Sequence, residues 1–444
     1  MKTPVTDRST SQDRLHWFRE ARLGMFVHWG LYSATGRGEQ IFYRDIMPEA
    51  EYRKLADQFH PPEDWAERLV QEIRNAGMKY AVLGTRHHDG YCLFDTAADD
   101  FNSVKTGPGR DLVAEFVTAC RAEGLGIGLY YSLLNWRWRG YWSPDRHPED
   151  LPKMAEEVHA QINELMSSYG SIDILWFDGG LVPGEGGHGM WGIGKNAIPQ
   201  NTAEFYRSHE LIKSVRQKQP DILINNRAGI EQDFGTPEQR VRPESRGRAW
   251  ETCMTVNFAP GWSHLHQSMA DKTPGEVLFH MMDAVRMGGN FLFNVGPMAD
   301  GSLDARHRAV LEAIGAWLKR NSEAVFGTSP GAIYDFSNGR VQGPMFHYGM
   351  WTCREHTGYL TLFYYPGETL VVSKIGPGIR SAELLTSGAS LRIEPAANDR
   401  VLLRGLPETS PDPLAAVVKV EFESPPYGTA ELDSRWLDGK WRMP

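Results

Sequence analysis

Six stretches of this 444-residue chain end in side chains that can do chemistry. "GMFVHWG" ends with His28, "KYAVLGTRHHDG" with His87, His88 and Asp89, and "GIGLYYSLLNW" carries Tyr130, Tyr131 and Trp136. "IDILWFDGG" sets Asp178 before two glycines, "DILINNR" closes on Asn226 and Arg227, and "WETC" holds Glu251. Two chemistries can use such a set. A metal site would accept His28, His87, His88 and Asp178 as ligands, but neighbouring residues of a strand face opposite ways, so His87 and His88 cannot both reach one ion unless the strand bends. We therefore expect no metal and no cofactor. Glycoside hydrolysis instead needs two carboxyl groups, one to attack or activate water and one to protonate the leaving oxygen. Imidazoles and a guanidinium would then hold sugar hydroxyls, and Trp or Tyr rings would cover the apolar face of the ring. Asp178 suits the nucleophile, because it follows an apolar run and Gly179 and Gly180 leave room for a substrate. For the second carboxylate, Glu39, Asp233, Glu238, Glu244 and Glu251 all remain open, since spacing does not choose among them.

The elements that must hold these groups follow from the hydrophobic pattern. Residues 24–30, 79–85, 126–132, 172–178, 221–227 and 290–296 are short apolar runs with polar ends, the signature of buried parallel strands. Helical patterns fall around them at 49–58, 62–77, 110–124, 152–169, 202–218, 274–287 and 303–320. In the last of these, Val310, Leu311, Ile314, Trp317 and Leu318 form one apolar stripe on a charged helix. Such alternation predicts an α/β fold, either a (β/α) barrel or a doubly wound sheet. The second would show a glycine-rich phosphate-binding turn after its first strand, and "HWGLYSATGRG" lacks the GxGxxG spacing. We expect an irregular TIM-like (β/α) barrel with "WETCMT" as a seventh strand and the eighth unassigned. Active sites of barrels lie at the C-terminal strand ends, where the reactive residues fall. Beyond residue 330 short alternating segments such as "GYLTLFYY", "RVLLRGL" and "AVVKVEFE" predict an antiparallel β-sandwich. The expected domains are 1–330, catalytic, and 331–444, β-sandwich.

Composition narrows the class of partner. With net charge −9 and no run of five or six like charges, the chain lacks the basic footprint of a nucleic-acid binder. Its 14 Trp offer flat apolar faces of the kind that stack on sugars, although most are expected in the core. The four Cys have no CxxC spacing, which argues against a structural zinc site and a disulfide framework. The N-terminal segment has no apolar run of signal-peptide length and no stretch of 18 apolar residues occurs, so no membrane partner and a cytoplasmic location are expected. Nothing in the sequence bears on oligomeric state.

Taken in order, "WFREARLGMFVHWGLYS", "RHHDGYCLFDT", "GLYYSLLNW", "LWFDGG", "WETCMTVN" and "GGNFLFNVGPMADGSL" make the chain similar to the α-L-fucosidases of glycoside hydrolase family 29 over nearly its whole length. The resemblance implies a retaining exo-hydrolase that removes terminal α-linked L-fucose from fucosylated glycans or glycosides. It implies Asp178 as the nucleophile, and His28, His87, His88, Tyr131 (less firmly Tyr130) and Arg227 at the sugar. The acid/base lies in a variable region of the family; "DFGTPEQ" resembles the segment that carries it, which implies Glu238 and leaves Glu251 as a buried structural carboxylate. Glu39, Trp136 and Trp262 complete the expected substrate-binding set. Two departures bear on specificity: Glu39 is followed by Gln40 where many members have Trp, and "NFAPGW" replaces a "WGY"-like step, putting Pro260 there. The readings that remain beside fucoside hydrolysis are a catalytically impaired sugar-binding homologue and a hydrolase of a related sugar such as an α-L-galactoside.

Overall fold

A computed structural model describes residues 11–144, 146–179, 201–243, 247–258, 261–268, 270–329, 348–373, 375–397 and 400–428. The chain forms two compact units, one of Met1–Lys272 with Asn290–Glu312 and the other of Thr273–Gly289 with Ala313–Pro444.

The first unit is built on eight parallel strands: β1 (Leu23–Val27), β2 (Tyr80–Arg86), β3 (Gly126–Ser132), β4 (Ile174–Asp178), β5 (Leu223–Ile224), β6 (Phe234–Gly235), β7 (Ala249–Thr255) and β8 (Asn290–Val295). They hydrogen-bond in the order β5-β4-β3-β2-β1-β8-β7-β6. A single parallel bridge between Asn225 and Phe234 joins the two ends of that order. The unassigned eighth strand is β6, two residues long, too short to show a period. Side chains alternate along a strand, and one parity fills the interior: Phe26, Tyr80, Val82, Tyr130, Ile174, Trp176, Leu223, Phe234, Cys253 and Leu292 form one core cluster. This is a filled barrel, not a pore.

Helices Trp65–Asn75, Leu112–Glu123 and Leu151–Ser168 follow β1, β2 and β3. Asp111 caps the second of these by accepting from the amide of Ala114 at 2.8 Å. Helix Ser208–Lys218 follows β4. The segment joining β5 to β6, residues 225–233, contains no helix. The end of β5 therefore continues into an irregular loop, the setting in which functional side chains are commonly placed.

The second unit contains a five-stranded and a three-stranded antiparallel sheet. Leu360, Val418 and Phe422 of the larger sheet share one core with Leu370, Val372 and Leu403 of the smaller, which makes the expected sandwich. Helix Pro274–Arg286 belongs to this unit and packs on strand Gly349–Arg354. It opens with a capping box, Thr273 accepting from the amide of Glu276 while the Glu276 carboxylate accepts from that of Thr273. The expected boundary at 330/331 lies outside the described residues. By contacts, the second unit reclaims a helix that in chain order precedes β8.

Candidate active site

Parity along β4 settles what Asp178 faces. Ile174 and Trp176 point into the barrel, so Asp178, two positions on, emerges over the core at the C-terminal mouth. Tyr130 donates its hydroxyl to Asp178 Oδ2 at 2.9 Å, and Arg227 Nη1 donates to Oδ1 at 2.9 Å. His88 Nε2 stands 3.9 Å from Oδ2. Burial pushes the carboxyl up, but Arg227, His88 and the Gly179 amide outweigh it and hold Asp178 below the usual carboxylate range. Asp178 is therefore ionised at neutral pH.

Arg227 does more than pair with Asp178. Its Nη2 donates to Glu238 Oε2 at 2.9 Å, so one guanidinium joins both carboxylates. Nε and Nη2 also bond to the hydroxyl and carbonyl of Thr236, and the cation lies 4.6 Å from the centre of the Trp176 ring. Burial would lower the guanidinium's pKa, yet Glu238 and Asp178 raise it. The fork geometry is one a lysine could not reproduce. Asp178 is 21% and Glu238 42% accessible, which puts Glu238 on the outer side of the pair. A cavity of about 330 Å³ lined by Asn226, Arg227, Thr236, Glu238 and Arg240 opens there.

The histidines line the opposite side. His28 Nδ1 is hydrogen-bonded to Asn294 Oδ1 at 2.6 Å, and Asn294 Nδ2 donates to the Trp262 carbonyl at 2.6 Å. The Trp262 ring centre lies 5.1 Å from that of His28. His87 stacks on Tyr130 at 5.7 Å and sits 4.1 Å from His88. Burial holds His28 and His88 down to about 4 and pushes His87 well below its ordinary value, so all three are neutral at pH 7. His87 Nδ1 is buried and has no hydrogen-bond partner among the described residues. Neutral imidazoles around a small space can both donate to and accept from sugar hydroxyls.

His87 and His88 share this side because the strand does bend. Pairing between β2 and β3 slips between Gly84 and Arg86, so that Gly84 pairs with Tyr130 and Arg86 with Tyr131. A bulge of this kind re-aims the residues after it. Arg86 then points out of the barrel and the two imidazoles lie over its mouth. Among the described residues, the groups spaced to hold a metal ion are His147, Glu149 and Asp150, none of them a member of this set.

The expectation for Tyr131 needs correction. Its parity on β3 is the outward one: its ring lies under the Arg86 guanidinium at 4.6 Å and its hydroxyl donates to Gln161 on helix Leu151–Ser168. The tyrosine at the site is Tyr130. Trp136 is also set back, 1% exposed and 5.0 Å behind His88, where it buttresses the imidazole and does not face open space. Glu39 is buried, and its Oε2 accepts from the amides of Trp262 and Ser263 at 2.8 and 3.1 Å, so it holds the loop that presents Trp262. Its burial raises its pKa.

The other candidate carboxylates are accounted for. Asp233 pairs with Arg216 at 2.5 Å and accepts from the amide of Ile224. Glu251 is buried inside the barrel, accepting from Tyr80 and, at 3.1 Å, from Trp176 Nε1; burial raises it to about 7. Glu244, Gly180 and Pro260 lie outside the described residues. Asn294 and Ser132 were missed as contributors, although both close apolar strands and the strand-end rule alone would have flagged them.

Comparison with known proteins gives this geometry its context. A family profile described as Alpha-L-fucosidase matches residues 2–323. Tissue alpha-L-fucosidase of Rattus norvegicus is 27% identical over 98% of this chain and 91% of its own length. Among solved structures, alpha-L-fucosidase isoenzyme 1 from Paenibacillus thiaminolyticus superposes with a TM-score of 0.80 at 30% identity, covering 93% of this chain and 99% of that one. An alpha-L-fucosidase from Bacteroides thetaiotaomicron, solved as a trapped covalent intermediate with 2-fluoro-fucosyl fluoride, shares the fold at a TM-score of 0.78 and 23% identity, over 94% of this chain and 98% of that one.

Proposed function

The chain belongs to the α-L-fucosidase family and is thus a glycoside hydrolase; on that premise we propose that it removes terminal α-L-fucose from fucosylated glycans or glycosides by double displacement. Asp178, ionised, attacks the anomeric carbon while Glu238 gives its proton to the departing oxygen. Water entering from the Glu238 side then hydrolyses the fucosyl ester, with Glu238 as base. His28, His87 and His88 hold the sugar hydroxyls, and Trp262 lies against the ring. Retention with a covalent intermediate is supported by analogy with the trapped relative.

The observation that carries this reading is the single guanidinium shared by Asp178 and Glu238. It holds the two carboxylates on one site while keeping the inner one charged. Glu238 lies on the exposed side, where a leaving group would depart, whereas Asp178 is held deeper by both Arg227 and Tyr130.

The test is a slow 2-deoxy-2-fluoro fucosyl donor, with digestion and mass spectrometry. The label is expected on the peptide containing Asp178, and the first-formed fucose, followed by NMR, should be the α anomer. A label elsewhere or a β product would overturn the proposal. Asp178→Ala should lose at least about 10³-fold in kcat. Glu238→Ala should lose far less on aryl fucosides with good leaving groups than on natural glycosides, and azide should restore rate; equal losses on both would remove Glu238 from the role.

A further inference from the structure

Behind β2 and β3, on the side facing away from the sugar, lies a buried polar cluster that the reaction does not touch. Arg86, 1% exposed, donates from Nη1 to Glu157 Oε2 at 3.1 Å and to Gln161 Oε1 at 2.7 Å. From Nη2 it donates to the carbonyls of Ser132 and Leu134, both at 3.1 Å. Glu157 also accepts from Asn135 Nδ2 at 3.2 Å and from Trp138 Nε1 at 3.0 Å. Every residue tied down from the β3 side belongs to the turn 132–138. A buried ion pair is a weak device for stability, since apolar residues of equal volume do as well or better. Its value must be sought in what it positions.

That turn meets the site at several points: the Leu133 amide donates to the backbone carbonyl of Asp178 at 2.8 Å, and two further residues of the turn hold His88. Ser132 Oγ is hydrogen-bonded to His88 Nδ1 at 2.6 Å, and its two other contacts, the Leu134 amide at 3.1 Å and the Leu134 carbonyl at 3.0 Å, lie inside the turn that Arg86 clamps. Trp136 of the same turn backs the His88 ring, and its amide donates to the His88 carbonyl at 2.8 Å. His88 in turn directs Nε2 towards Asp178.

We propose that Arg86 and Glu157 are positioning residues for the sugar site: they lock the 132–136 turn so that Ser132 fixes the rotation of the His88 ring and turns its Nε2 to the substrate and to Asp178. The pair is read out through His88, since the Leu133 amide of the same turn bonds the backbone carbonyl of Asp178 and not its carboxylate. Loss of the fork frees the two carbonyls, and the Ser132 hydroxyl then has no fixed direction in which to serve Nδ1. This inference rests on His88 being a sugar ligand, as proposed above.

The experiment is a double-mutant cycle on kcat/KM for an aryl α-L-fucoside, with folding followed by thermal melting. Arg86→Lys keeps the buried charge but cannot reach both carbonyls and Glu157 with one planar fork. It is expected to lower kcat/KM about tenfold or more in the native background and less than twofold in a His88→Ala background, a coupling between groups that act as one unit. Glu157→Gln, which preserves shape and one acceptor, should show the same pattern more weakly and serves if Arg86→Lys does not fold. A loss of equal size in both backgrounds would overturn the proposal, because it would mean general destabilisation. So would native kcat/KM in both variants. If His88→Ala alone leaves kcat/KM unchanged, the failure lies instead in the assignment of His88 to the sugar, and the positioning role falls with it.

Discussion

At the scale of single residues, the site separates two kinds of carboxylate by their surroundings. Asp178 is held charged by Arg227, whereas Glu251, inside the barrel, has the neutral donors Tyr80 and Trp176 as its partners among the described residues. Its folded-state value of about 7 lies above that of an unfolded Glu, so the folded chain binds the extra proton between those limits. Stability from this group is full below about pH 4.5 and is lost as pH rises through 7. Glu251→Gln removes that dependence. The melting temperature of the variant relative to the native chain should therefore climb between pH 5 and pH 8, by an amount corresponding to about 2 kcal/mol; a constant difference would show that Glu251 does not titrate in this range. Activity should survive in large part, since the hydrogen bonds of Glu251 go to Tyr80 and Trp176 and not to Asp178, and this also separates it from Glu238.

At the scale of elements, the strand ends set the geometry by parity and by two local exceptions. Gly179 follows Asp178 in a left-handed conformation with φ of 68°, and a Cβ there would come within 2.7 Å of Leu134, 2.9 Å of Ser132 and 3.1 Å of His88. Gly179→Ala should therefore disturb backbone and imidazole together, costing about 1–2 kcal/mol in stability and more than tenfold in kcat/KM. Melting curves and aryl-fucoside kinetics measure the two effects separately; an unchanged kcat/KM would mean that this strand end tolerates movement. The second exception is the slip in β2, and it explains what could be read in advance. Asp178, His28 and Arg227 were legible because each closes an apolar run with a clear inward parity. Tyr130 and Tyr131 were not, because "GIGLYYS" is apolar on both faces and a buried parallel strand carries no alternation to phase it. The shared side of His87 and His88 depends on a one-residue slip against a neighbouring strand, a tertiary event without local signal. Glu238 was found through resemblance to a motif, and its approach to Asp178 exists only through Arg227 across a loop.

At the scale of the whole molecule, the neutral histidines set a limit on acid tolerance. His28 and His88 have folded values of about 4 against 6.5 when unfolded, so the unfolded chain takes up protons first as pH falls. Their contribution is present above about 6.5 and is lost towards 4. Each should cost about 2 kcal/mol between pH 7 and pH 5, partly offset by Glu251 gaining its proton over the same range. Denaturant titrations at those two pH values should show the native chain losing stability, and Glu251→Gln losing more. The division into units carries a further expectation. Helix Pro274–Arg286 packs on strand Gly349–Arg354 of the second unit, so a chain cut at residue 330 would leave that helix without its apolar cover, and should give insoluble or early-melting protein. Beneath all this lies the closure of the barrel itself, where two two-residue strands meet through the Asn225–Phe234 bridge, with the Asp233 amide and carboxylate bonded to the carbonyl and amide of Ile224 beside it. A seam with so few ladder bonds is where the wall should breathe first, and its amides should exchange with deuterium sooner than those of β1 to β4. Arg227 and Glu238 flank that seam, so the proton-handling half of the site rests on the most compliant staves of the cask and the nucleophile on one of the stiffest.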